Sequence, residues 1–218
     1  MVQRSRFNGS VRGSTVQEFS LRAVVLVATG LVAGACGGRT SAPPAEPAPA
    51  AQFLAALAGL CGQAFAGRVV ANEPAQPGDP FEGRQLVMHV RTCEADRVLT
   101  PLHLGEDRSR TWVLTRVGDR LRLKHDHRHQ DGTGDALTMY GGDSTSPGTA
   151  TRQEFPVDEF SKALFTRENS AVSNTNVWAM EMHPGRMFAY ELTRPGRRFR
   201  IEFDLGVPVP PPPAPWGY

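Results

Sequence analysis

The sequence predicts a mainly β protein. The expected fold is an antiparallel meander of about seven to nine strands curled into a closed barrel, with a helix in front and a short helix inserted. Three observations carry that prediction. The C-terminal third holds runs at 177–182, 187–193 and 198–204, separated by His183-Pro184-Gly185-Arg186 and Arg194-Pro195-Gly196-Arg197. Pro-Gly pairs suit tight turns, because proline presets φ and glycine accepts a positive one. In the last run Phe199, Ile201 and Phe203 alternate with Arg198, Arg200, Glu202 and Asp204, the period-two pattern of a half-buried strand. Upstream, Gly118-Asp119 joins two further runs as a two-residue hairpin signal.

The chain begins with a leader. Residues 23–35 are apolar and uncharged, arginines precede them and small residues follow. Thirteen residues are too few to span a bilayer, which takes about 20. The layout is that of a secretory signal peptide over 1–35. It also explains the net charge of +2. The leader contains Arg4, Arg6, Arg12 and Arg22 against Glu18, so the remainder carries 20 basic and 21 acidic residues. No basic surface is left to bind phosphates, so no nucleic-acid partner is expected.

The leader ends Val32-Ala33-Gly34-Ala35-Cys36. This resembles the lipobox of bacterial lipoproteins, although the family usually has Leu where Ala33 stands. The resemblance implies that Cys36 is acylated and anchors the mature chain in a lipid bilayer, each buried CH₂ contributing about 0.8 kcal/mol. Gly37 in place of Asp implies export to the periplasmic face of the outer membrane. With Cys36 lipidated, Cys61 and Cys93 remain as a disulfide candidate in an oxidising compartment. Closing that loop of about 33 residues stabilises the fold by about 3.7 kcal/mol in the chain-entropy treatment.

Residues 36–51 read as a Gly/Pro/Ala spacer and 207–218 as a disordered, Pro-rich tail. The folded domain is then expected over 52–206, about 155 residues, enough to bury about 70% of its unfolded surface. It opens with a helix whose apolar face is Phe53, Leu57, Leu60, Cys61 and Ala64. Strand-like runs follow from Val69-Val70, then at 84–92, 98–104, 111–117 and 120–129. Residues 140–151 read as a Gly/Ser/Thr-rich connection, and 156–165 as the short inserted helix. Trp112, Tyr140, Trp178 and Tyr190 read as core or barrel lining, and His89 and His103 as structural.

This layout resembles the lipocalin-like barrels, small exported β-barrels led by a helix. The resemblance is of architecture; the Gly-x-Trp opening of lipocalins is absent, and Gly67-Arg68-Val69 stands in that region. The stretches Glu106–Trp112 and Lys124–His129 also resemble a proteobacterial lipoprotein family, a likeness that implies no activity.

The densest polar cluster is Lys124-His-Asp-His-Arg-His-Gln-Asp131. On a strand, Leu121, Leu123, His125, His127 and His129 share one face and Arg120, Arg122, Lys124, Asp126 and Arg128 the other. The leucines belong inside, so the histidines should line the barrel mouth. Three readings stay open. His125 and His127, with His129 or Asp131, have the donor types to hold Zn or another transition metal. The spacing is similar to the cupin His-x-His-x3-acid motif, with Asp131 where cupins carry Glu; the later cupin histidine has no match. A His/Asp pair also suits acid–base chemistry near neutral pH, but no nucleophile motif or paired catalytic carboxylates accompany it. The third reading is a solvated strand end. No cofactor is required by any motif. The leading expectation is a non-catalytic barrel that binds a small molecule or assists the envelope, with a hydrolytic enzyme or a side-chain-filled interaction barrel as alternatives.

Overall fold

The computed structural model describes residues 46–75 and 78–218. The expected leader, the proposed lipidation site Cys36 and the expected spacer as far as residue 45 lie outside the described residues. Helix α1 spans Pro49–Ala58. The strands are β1 (Ala64–Glu73), β2 (Leu86–His89), β3 (Thr92–Cys93), β4 (Arg97–Leu104), β5 (Asp107–Val117), β6 (Arg120–His127), β7 (Tyr140–Asp143), β8 (Arg152–Pro156), β9 (Val177–His183), β10 (Met187–Arg194) and β11 (Arg197–Val209). Helix α2 (Glu159–Arg167) and a 3-10 turn (Ala171–Thr175) separate β8 from β9. Among the described residues the fold is mainly β, a nearly closed antiparallel barrel with two α-helices.

The strands lie in the order β7-β6-β5-β4-β2-β1-β11-β10-β9-β8, with β3 beside β4. Most neighbours are hairpin partners. Closure depends on the long-range pairing of β1 with β11, for example Val69 with Ile201 and Ala64 with Val209. The two Pro-Gly turns form as expected, with Gly185 and Gly196 at φ 69° and 70°. Phe199, Ile201 and Phe203 point inward and are buried.

The remaining seam, between β7 and β8, is joined by backbone and helix. Asp158 donates its N–H to Gly141 O at 2.9 Å. Its side chain caps α2 by accepting from Ser161 N at 2.8 Å. Ser161 Oγ in turn accepts from Gly141 N at 2.8 Å. The seam is possible because residues 141 and 142 have no side chains. A Cβ on Gly142 would sit 1.8 Å from Pro156 O, and one on Gly141 1.9 Å from Leu123 O.

Helix α1 buries Ala50, Phe53, Leu54 and Leu57. It packs against β4, β5 and β6 and also against β8 and β9, so it lies across the barrel between the two halves of the sheet. The expected helix is too long at its C-terminal end. It stops at Ala58 in a turn at Gly59–Gly62, and Ala64 belongs to β1. At its other end the helix begins at Pro49, inside the stretch read as spacer; Pro49 is tolerated in the first helical turn, where its missing N–H has no partner to lose. Cys61, in the turn, bonds Cys93, on β3, as a disulfide.

The disordered tail expected over 207–218 is also corrected. Strand β11 runs to Val209, and the following residues fold back as a strap. Trp216 donates its N–H to Arg108 O at 3.1 Å, and Arg108 reaches Ala214 O at 3.3 Å. Tyr218 donates its hydroxyl to Asp126, and the Arg128 guanidinium lies 5.2 Å from the centre of its ring. Asp126 is on the face of β6 opposite His125 and His127, so the strap crosses the outside of the barrel from β1 toward β6. Proline composition favoured an extended chain; hydrogen bonds to β5 and β6 supply the contacts that composition cannot reveal.

Candidate functional site

Inside the barrel, away from α1, lies a cavity of about 400 Å³. Its wall follows from strand alternation. Trp112 on β5, His125 and His127 on β6, and Tyr190 and Leu192 on β10 all occupy inward positions. Helix α2 contributes Phe165, and the start of β9 contributes Trp178. The rings pack against one another. Trp112 stacks on Tyr190 with centroids 4.7 Å apart, and His125 stacks on Tyr140 at 4.7 Å. Trp178 stands 5.1 Å from His125, and Phe165 stands 5.2 Å from Tyr140. These separations fall within the attractive range for aromatic pairs.

His125 is held at both nitrogens. Nδ1 lies 3.1 Å from Tyr140 O and Nε2 lies 2.9 Å from the Tyr190 hydroxyl. A carbonyl can only accept, so Nδ1 carries the proton and Nε2 accepts from Tyr190. Burial drives the His125 pKa down to about 3, aided by the neighbouring His127. His127 has its Nε2 3.1 Å from the Tyr140 hydroxyl. Burial, followed by the positive charge of Arg110, lowers its pKa to about 4. The same burial raises Tyr140 to about 12. At neutral pH these groups form an uncharged, hydrogen-bonded wall.

Neither candidate third ligand, His129 or Asp131, converges on His125 and His127. His125 and His127 line the cavity. β6 ends at His127, so His129 is carried into the following turn and is exposed. Asp131 is also exposed and serves the turn itself, accepting from Thr133 N at 2.9 Å and Thr133 Oγ1 at 2.6 Å. A metal at His125 Nε2 would have to displace Tyr190. Among the described residues no group of three or more His, Cys, Asp or Glu side chains is placed to hold a metal ion.

The structure adds residues that sequence reasoning missed. Arg110 sits on the inner face of β5 at the lip, paired with Asp107 and facing Phe81. Across the lip, Arg194 at the end of β10 donates to Asn176 Oδ1 at 3.2 Å. Ser170 and Ser173, from the 3-10 turn region, line the same side. Arg110 has a local signal, because it shares the period-two face of Trp112. Arg194 reads only as a turn residue until the fold brings Asn176 beside it.

No protein-family model, curated protein or solved structure matches this chain.

Proposed function

We propose that this chain is a periplasmic lipoprotein, tethered to the outer membrane through acylated Cys36, whose barrel binds a small, flat, largely apolar molecule. The observation that carries the binding reading is the cavity of about 400 Å³ among Trp112, Tyr140, Phe165, Trp178 and Tyr190. Its size falls in the range of small-molecule sites, and apolar walls with few polar groups are typical of them. A barrel whose own side chains filled its interior would have no such space. His125 and His127 act in this reading as neutral hydrogen-bonding groups.

The neutral fluorophore N-phenyl-1-naphthylamine tests the binding reading. Titrated into the protein, it should brighten saturably and quench the tryptophans of the wall. Leu192→Trp, which places a larger side chain on that wall, should abolish the saturable component. Saturable binding that survives Leu192→Trp, or none in the parent protein, overturns the reading. The tether is tested separately by intact mass in the native host. Cys36→Ser should release the chain from the membrane fraction and remove the acyl mass; a parent chain with no acyl mass rejects the anchor.

A further inference from the structure

The lip of the cavity contains an unmatched positive charge. Arg194 is half-buried, and among the described residues no carboxylate pairs with it. Its one side-chain partner is the neutral amide of Asn176. Across the turn Arg194 pairs in register with Arg197, a like charge whose own counter-ion is Asp79 at 3.6 Å. Burial and that like charge both lower the Arg194 pKa, which means its cationic form is poorly compensated. Arg110 is different: Asp107 already neutralises it. The carboxylate that lines the cavity, Asp135, is engaged by Leu137 N at 2.9 Å.

A cation that is desolvated and left without a counter-ion has free energy to gain from an anion. A guanidinium offers that anion parallel N–H donors suited to a carboxylate or phosphate. Below this lip the wall is aromatic, and such a wall favours a flat apolar body. We infer that the cavity takes an amphiphilic organic anion, its apolar body among the aromatic rings and its acid group held at the lip by Arg194. Ser170 and Ser173 line the same cavity. The inference rests on the binding reading above and adds a chemical class to it.

Two isosteric probes isolate the charge: naphthalene-2-carboxylate and naphthalene-2-carboxamide, titrated calorimetrically at neutral pH and low salt. In the parent protein the carboxylate should bind about tenfold tighter, as expected for one charge-assisted contact. Arg194→Gln should bring the ratio to about one by weakening the carboxylate alone, and Arg194→Lys should keep part of the preference. Raising the salt should shrink the ratio in the parent only. Unchanged carboxamide affinity in Arg194→Gln shows that the cavity is intact. If both probes bind equally to the parent, or the ratio survives Arg194→Gln, the inference is overturned and the binding reading stands. If neither probe binds, both fail.

Discussion

The Nε2 atom of His125 and the hydroxyl of Tyr190 meet at 2.9 Å across the barrel interior, joining β6 to β10. Neither side chain has water as an alternative partner of equal quality, because both are buried. Tyr190→Phe keeps the ring and its stacking on Trp112 but leaves Nε2 unpaired. The expected cost is about 1–3 kcal/mol, read as a lower urea midpoint with unchanged slope. A midpoint equal to the parent would show that the bond contributes nothing.

Stability should fall as the pH drops from about 6.5. His103, His125 and His127 have folded pKa values of about 4, 3 and 4 against 6.5 in the unfolded chain. In each, burial is the main cause. Between those values the unfolded state binds protons that the native state refuses, so stability rises with pH there, approaching about 1.4 kcal/mol per pH unit for each histidine. Above 6.5 their contribution is constant. Glu181 and Glu191 lie below the ordinary carboxylate value: hydrogen bonds from His183, Arg200, Arg152 and Arg198 outweigh their burial. Their loss begins only as the pH falls below about 4.5, so the upper window belongs to the histidines. Urea midpoints at pH 7, 6 and 5 should decline steadily; a flat series would contradict the buried, neutral assignment.

The strap should be structural. Removing residues 210–218 takes away the Trp216 and Tyr218 contacts and leaves Asp126 with Arg128 and Thr138 alone. An expected loss of about 2 kcal/mol follows from two or more hydrogen bonds together with buried Pro215. Amide exchange offers a check that needs no mutation. The Trp216 N–H should be protected in the full-length chain, and its rapid exchange would leave the strap undocked.

The seam should tolerate no side chain. Gly142→Ala places a methyl group 1.8 Å from Pro156 O, and backbone on both sides must move. We expect at least about 2 kcal/mol of destabilisation. Gly62→Ala is a control with open space around it but a positive φ, and should cost about 1 kcal/mol. Equal thermal shifts for the two would mean that the seam is not closed as described.

The disulfide links residues 32 apart and ties the turn after α1 to β3. Reduction, or Cys61→Ser with Cys93→Ser, should lower stability by about 3.7 kcal/mol through loop entropy in the unfolded chain. Peptide mapping without reductant should recover the cross-linked pair. Two free thiols would remove both the bond and the prediction.

Local chemistry made much of this legible. Residues 120–127 and 198–204 alternate clearly, so the inward placement of His125, His127, Phe199, Ile201 and Phe203 follows from strand geometry. Gly185 and Gly196 marked their turns because a positive φ has a residue signature. β7 was invisible for the opposite reason. Tyr140-Gly-Gly-Asp143 has the composition of a loop, and its glycines are required by backbone approaching from Leu123 and Pro156, distant in the chain.

The sequence by itself determined an antiparallel barrel, its hairpin turns and its inward faces. These depend on interactions between near neighbours or on a strict period of two. The tertiary structure decided that β1 and β11 close the barrel, that the Pro-rich end docks, and that His129 and Asp131 turn away from His125 and His127. It also placed Arg194 and Asn176 together at the lip of an aromatic cavity. The physical reason is shared by all four: each is a contact, or the loss of one, between segments whose separation in space no local pattern encodes.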